Sequence, residues 1–156
     1  MVKSAFPDTC VFFECALNSK KQTILNHAAN INFPLVTSIT VMGEAIDQMR
    51  KQSERSHLIT SLIRSFDEWN ITSLYPDPVV AEICYRLTTD GVDYRVENTD
   101  RVHLGYALAY GCDLFITSDK NLIKYRVPKN QEDAGFVKPN TITLKEFKEH
   151  LNLFHI

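Results

Sequence analysis

Short apolar runs alternate along the chain with longer stretches that are apolar at helical spacing, a pattern that predicts strands and helices in alternation. It is clearest between Asp100 and Lys120. From Val102 to Ala109 nearly every residue is apolar or small: Val102, Gly105, Tyr106 and Ala109 share one helical face and Leu104, Ala107 and Leu108 another. Such a helix is covered on most sides. Gly111 after Tyr110 reads as its stop, and the unbroken run Leu114-Phe115-Ile116 as a parallel strand buried on both faces.

The remaining elements repeat this alternation. Ser4-Ala5-Phe6 is expected as a first strand ended by Pro7, Val11 to Leu17 as a short helix, and Ser19 as the cap of a second helix with Ile24, Leu25 and Ala28 inward. Phe33 to Thr37 is expected as the second strand. Ser38 then caps a helix reaching about Lys51, with Met42, Ala45, Ile46 and Met49 facing the core. After the polar connection QSERSH, the residues Leu58, Ile59, Leu62, Ile63 and Phe66 fall at helical spacing. Ile71 to Leu74 is a third strand, Pro76-Asp77-Pro78 breaks it, and Val79, Ile83 and Leu87 line another helix. Gly135 to Asn140 reads as loop or edge strand. Thr143 and Glu146 then form a capping box for a last helix with Leu144, Phe147 and Leu151 inward. The expectation is a right-handed βαβ architecture in one domain, residues 1–156.

Composition narrows the function classes. With 156 residues, 44% hydrophobic and 23% charged, the chain can bury a core. No run approaches the ~18 apolar residues of a membrane span, and the start MVKSAFPDTC has no long apolar segment, so a cytoplasmic protein without a membrane partner is expected. Cys10, Cys15, Cys84 and Cys112 form no close CxxC pair, which speaks against a zinc knuckle or a disulfide framework. The histidines make no HxxxH or HExxH pattern, and His103 is expected as a packed or edge residue rather than a ligand. A net charge of −2 gives no global attraction for nucleic acid, which leaves that task to a local patch or a metal.

The acids carry more information. Asp8 and Asp119 each follow a strand, Asp100 opens a helix, and Glu44 lies within two turns of the second strand's carboxyl end. In open α/β sheets ligands gather at that edge. Carboxylates brought together repel one another unless a divalent cation neutralises them, and an oxygen-only donor set suits Mg²⁺ or Mn²⁺. Lys120, Lys124, Arg126 and Lys129 form a basic run beside Asp119, read first as a solvated face and second as a path for RNA.

Three segments, PDTCVFFECAL, VTSITVMGEAI and TDRVHLGYALAYGCDLFITSDKNL, resemble the PIN domain, a fold of metal-dependent ribonucleases that includes many toxins of toxin-antitoxin pairs. The resemblance covers nearly the whole chain and implies a three-layer α/β/α fold around a central, mainly parallel sheet. It also implies an Mg²⁺- or Mn²⁺-dependent endoribonuclease whose catalytic acids are Asp8, Glu44, Asp100 and Asp119. Asp8, Asp100 and Asp119 would hold the metal and Glu44 the attacking water, with Thr9, Thr117 and Asn121 in support. RNA, an antitoxin protein and a second copy of the chain are the implied partners. Cys10 stands where the family commonly has Asn or Ser, and Asn121 where another Asp is frequent. Two alternatives belong to other classes. A haloacid-dehalogenase-like phosphatase also places Asp after its first strand but expects a second Asp at the position of Cys10. A module that keeps the fold without catalysis would bind RNA or protein.

Overall fold

The computed structural model describes residues 4–89 and 95–152, and the backbone alone of Ser53. The ends of the expected 1–156 unit thus lie outside the described residues. Five strands are assigned among them: β1 (Ala5–Pro7), β2 (Val36–Ser38), β3 (Thr72–Leu74), β4 (Leu114–Ile116) and β5 (Asn140–Ile142). β1 pairs with β4, β4 with β5 and β2 with β3, all parallel. A parallel bridge from Ala5 to Leu35 joins the two groups, with the Ala5 N–H donating to the Pro34 carbonyl at 3.0 Å. The strands therefore run in the order β3-β2-β1-β4-β5. The direction of winding reverses between β1 and β4.

Parallel neighbours require crossover connections, and helices supply them. α1 (Thr9–Leu17) and α2 (Ser19–Asn30) lead to β2; α3 (Ile39–Lys51), a 3₁₀ turn (Ser53–Leu58) and α4 (Ile59–Glu68) lead to β3. α5 (Pro78–Thr89) and α6 (Asn98–Ala109) carry the chain across to β4. The short α7 (Lys120–Lys124) and α8 (Lys129–Asp133) precede β5, and α9 (Leu144–Asn152) ends the described chain. The sheet is flanked by these helices in the expected three-layer α/β/α arrangement. No helix among the described residues is long and apolar enough to cross a membrane.

The central strands are buried on both faces, as their unbroken apolar runs require: Ala5, Phe6, Leu114, Phe115 and Ile116 are all buried. Phe6 lies opposite Phe115 in the ladder, their rings stacked with centroids 5.4 Å apart. Phe12 of α1, Phe66 of α4 and Trp69 form a second aromatic group, in which Phe12 meets Phe66 edge-on at 5.0 Å. Trp69 donates its indole N–H to Asn26 Oδ1 at 2.6 Å, so its one polar atom is satisfied.

Several local expectations are corrected. Asn18, rather than Ser19, caps α2: its backbone is extended and its side-chain oxygen accepts the N–H groups of Lys20 and Lys21, whereas Ser19 is already helical. Ile63 and Val79 are 50% and 59% exposed. The inward stripe of α4 is Leu62, Ser65 and Phe66, and that of α5 is Val80, Ile83 and Leu87. Each misplaced residue lies one position, about 100° of helical rotation, from a residue that does face the core. Gly111 has φ +62° and ends α6 as its sequence position implied, a conformation that costs a residue with a Cβ far more than glycine. The Thr143–Glu146 capping box forms with both reciprocal bonds, Glu146 N–H to Thr143 Oγ1 at 3.2 Å and Thr143 N–H to Glu146 Oε2 at 2.7 Å.

Candidate metal centre

The site follows from what happens where a parallel strand passes into a helix. Each such helix begins with unsatisfied N–H groups and a partial positive charge, which a short polar side chain at the junction relieves. Asp8 does this after β1, Ser38 after β2 and Asp119 after β4. β1 and β4 are adjacent, so Asp8 and Asp119 are delivered to one edge at the point where winding reverses.

Asp8 is the centre of the arrangement and is 4% exposed. Its Oδ1 accepts the Thr9 N–H at 2.8 Å and faces His103 Nδ1 at 3.0 Å. Its Oδ2 accepts the Thr117 hydroxyl at 3.0 Å and the Cys10 thiol at 3.8 Å. Thr117 also receives the Asp119 N–H at 3.1 Å and thereby ties the loop after β4 to Asp8. Cys10, where the family commonly carries Asn or Ser, takes part in this tie: Ser118 N–H donates to its sulfur at 3.2 Å. Burial and the charge of Asp8 push the Cys10 thiol above its ordinary range, so it acts as a neutral donor.

Glu44 reaches the group from α3. Thr9 donates its hydroxyl to Glu44 Oε2 at 2.6 Å, and His103 Nε2 faces the same oxygen at 3.5 Å. Asp100 approaches from the first turn of α6, next to Arg101, whose guanidinium holds the incoming chain by donating to the Val96 carbonyl at 2.7 Å. Partial burial, then the charge of Asp8, push the Asp100 carboxyl up to about 6, with His103 acting in the opposite sense and Asp119 adding to the rise. Asp119 accepts the Asn121 N–H at 2.6 Å through Oδ1, in the manner of a helix cap. Asn121 enters through its backbone, while its side chain is exposed.

All four expected acids thus reach one neighbourhood, in unequal roles. Asp8 and Asp100 group with His103: one ligand atom from each lies within 4.8 Å of the others. Glu44 is joined to that group through Thr9 and His103, and Asp119 through Thr117. His103, expected from sequence as a packed residue, is packed and only 2% exposed, yet both its ring nitrogens face acids of the site. The spacing Asp100-x-x-His103 was the available signal, because positions i and i+3 share a helical face.

Two carboxylates and an imidazole converging at this spacing fit a divalent cation, and the Asp100 carboxyl is raised first by burial and then by the charge of Asp8. Beside Glu44 and His103 opens a shallow, mostly apolar groove of about 280 Å³, bordered by Thr40, Asn98, Thr99 and Val102. Lys120, Lys124, Arg126 and Lys129 are exposed on the segment that follows Asp119.

No curated protein gives a significant sequence match. Among solved structures, PAE2754 from Pyrobaculum aerophilum is similar with a TM-score of 0.63 and 15% identity, over 98% of this chain and 98% of that one. VapBC2 from Rickettsia felis, bound to a DNA fragment from their promoter, is similar with a TM-score of 0.61 and 15% identity, over 90% of this chain and 96% of the other. Likeness at this identity speaks to the fold. The sequence itself matches the PIN domain model over residues 5–128, a span that begins in β1, passes β4 and α7, and takes in Asp8, Glu44, Asp100 and Asp119. With sequence and fold in agreement over the segment that builds the acidic edge, the chain belongs to the PIN domain family.

Proposed function

We propose that this protein is a divalent-metal-dependent endoribonuclease that hydrolyses RNA phosphodiester bonds, with Asp8, Glu44, Asp100 and Asp119 as its catalytic acids. PIN domains are generally nucleases, and the observation that carries the finer reading is the convergence of Asp8, Asp100 and His103 at the carboxyl ends of β1 and β4. Asp8 and Asp100 would hold an Mg²⁺ or Mn²⁺ ion, with Asp119 at the rim, and the bound ion supplies charge stabilisation for the phosphate oxygens and lowers the pKa of water.

The chain's own residues do the rest. Thr9 engages one oxygen of Glu44, Oε2, and no described residue hydrogen-bonds the other, Oε1. Oε1 is therefore the atom that orients the attacking water and takes its proton. The Thr117 hydroxyl and the Thr9 N–H hold the Asp8 carboxylate in one rotamer, so that it does not reorganise during the reaction. The RNA strand lies along the groove between Thr40 and Val102, and the exposed lysines beyond Asp119 attract its backbone. Membership of the family makes an antitoxin protein and a second copy of the chain the proposed partners, in the cytoplasm.

The test is cleavage of single-stranded RNA by purified protein in Mn²⁺, in Mg²⁺ and in chelator. Asp8→Asn and Asp100→Asn should each reduce the metal-dependent rate by at least about a hundredfold, the scale of losing one preorganised charge stabiliser. Glu44→Gln should be as slow and still bind the ion. Wild-type cleavage by pure Asp8→Asn would refute the mechanism. A folded wild-type protein that binds RNA or a protein partner and cleaves in no metal would be a binding module instead.

A further inference from the structure

Asp119 is carried by a helix too short to stand alone. α7 has five residues, whereas isolated helices shorter than about 12–15 residues are marginal in water. At its N-terminal end Asp119 holds it twice: Oδ1 accepts the Asn121 N–H at 2.6 Å and the Asp119 carbonyl accepts the Ile123 N–H at 3.0 Å. Leu122 is buried beneath it. Neither contact secures the other end.

Lys138 closes that end. The last carbonyls of a helix lack donors within it. Lys138 Nζ donates to the Leu122 carbonyl at 2.9 Å, the Ile123 carbonyl at 3.3 Å and the Tyr125 carbonyl at 2.7 Å. An ammonium has three N–H donors and no acceptor, so three carbonyls engage it fully, and positive charge is favoured at the C-terminal end of a helix. The backbone beside Lys138 is fixed in turn. Lys138 stands just before β5, where the Asn140 N–H donates to the Asp113 carbonyl at 2.9 Å and β5 pairs with β4. The side chain thus ties the far end of α7 to the sheet. Were α7 to fray, Asp119 would lose the Asn121 and Ile123 N–H groups that set its orientation, and its carboxylate would be free to turn.

We infer that Lys138 is a positioning residue for Asp119: its ammonium closes the C-terminal end of α7 against the chain entering β5, and so fixes the helix whose N-cap is Asp119. Its effect on cleavage rests on the nuclease reading above. Lys138 acts through α7 and takes no part in the chemistry.

Lys138→Met keeps the stem and removes the ammonium, while Lys138→Arg keeps a cation with N–H donors. Amide exchange in ¹⁵N-labelled, metal-free protein reads α7 without any cleavage. In Lys138→Met the Asn121 and Ile123 amides should exchange at least about tenfold faster, with the Phe6 and Phe115 amides of β1 and β4 within about twofold of wild type. Lys138→Arg should recover most of the protection. Unchanged exchange at Asn121 and Ile123 overturns the inference. A rise of the same size throughout the sheet also overturns it, because Lys138 would then support the whole fold.

Cleavage supplies the second readout. In Mn²⁺, Lys138→Met should lower kcat about tenfold, within the range that a small misplacement of a reacting group produces. In an Asp119→Asn background the side chain can still cap α7 but its charge is gone, so Lys138→Met should change kcat by less than about twofold. Losses that multiply would show that Lys138 acts elsewhere and overturn the inference, as would wild-type kcat in Lys138→Met with α7 frayed. The two readings fail separately: a wild-type protein inactive in every metal refutes the nuclease, and amide exchange still decides whether Lys138 holds α7 and Asp119 in place.

Discussion

Thr9, the first residue of α1, donates its hydroxyl hydrogen to Glu44 Oε2 at 2.6 Å, so two side chains 35 positions apart are joined at the edge of the sheet. Hydrogen bonds to charged groups contribute about 1.5–3 kcal/mol. Val has nearly the shape of Thr without its hydroxyl. Thr9→Val should therefore fold and should lower kcat for RNA cleavage by about tenfold or more, on the scale of about 1.4 kcal/mol per tenfold. Steady-state kinetics in Mn²⁺ check this, and an unchanged kcat would mean that Glu44 does not depend on Thr9 for its placement.

Asp100 links the site to stability. Its carboxyl is pushed up to about 6 from an ordinary 3.8, chiefly by burial and then by Asp8. Between those two values the folded state holds more protons than the unfolded state, so its contribution to stability is lost as pH rises through the window. At neutral pH and without metal, Asp100→Asn should accordingly be no less stable than wild type. In Mn²⁺ the order should reverse. At about a hundred times its dissociation constant an ion bound only by the native state adds roughly 2.7 kcal/mol, a melting shift of about 5–10 °C for a chain of this size. That shift should largely vanish in Asp100→Asn. Melting curves of both proteins in chelator and in Mn²⁺ measure it; equal metal shifts would reduce Asp100 to a helix-end charge.

Filling the groove should separate binding from chemistry. Val102 borders it without belonging to the acidic group. Val102→Trp should raise KM for RNA about tenfold with kcat within about threefold, the signature of losing binding common to ground and transition states. A fall in kcat at constant KM would place the RNA strand elsewhere.

The capping box of α9 gives a pH prediction with a definite sign. The Thr143 N–H, followed by the Thr143 hydroxyl, holds the Glu146 carboxyl below its ordinary 4.5. A depressed value in the folded state means stability present above the ordinary value and lost as pH falls through the depressed one. Glu146→Gln should be slightly less stable than wild type at neutral pH and indistinguishable from it in strong acid. Thr143→Ala, which removes the cap itself, should cost about 1 kcal/mol. Denaturant unfolding at both pH extremes tests the pair; a Glu146→Gln deficit that persists in strong acid would show that charge is not its source.

Much of the fold was legible because its determinants are local. The run Leu114-Phe115-Ile116 predicted a strand covered on both faces, and Phe115 lies between β1 and β5 with no exposure. Gly111 and Thr143 marked a helix end and a helix start through backbone chemistry that needs no distant partner. The acids were legible for a related reason. A strand's carboxyl end is a place in the sequence as well as in space, and Asp8 and Asp119 each occupy one. Glu44 and Asp100 were read toward the same edge from their places near a strand end and a helix start, and the resemblance to the PIN domain implied the catalytic role of all four.

Periodicity did not determine rotation to within one residue, so Ile63 and Val79 were placed inward where Leu62 and Val80 belong. The reason for a glycine inside the buried helix α6 was also out of reach. A Cβ on Gly105 would come within 2.5 Å of Cys84 Sγ, and Cys84 belongs to α5. The role of His103 was hidden in the same way. Its partner Asp8 lies 95 positions earlier, and they meet only because α6 feeds β4 into the sheet beside β1. A sequence records which side chains can donate and accept, and local spacing places them on a face. Which donor meets which acceptor is decided by strand order, because long-range neighbours are set by packing the whole sheet.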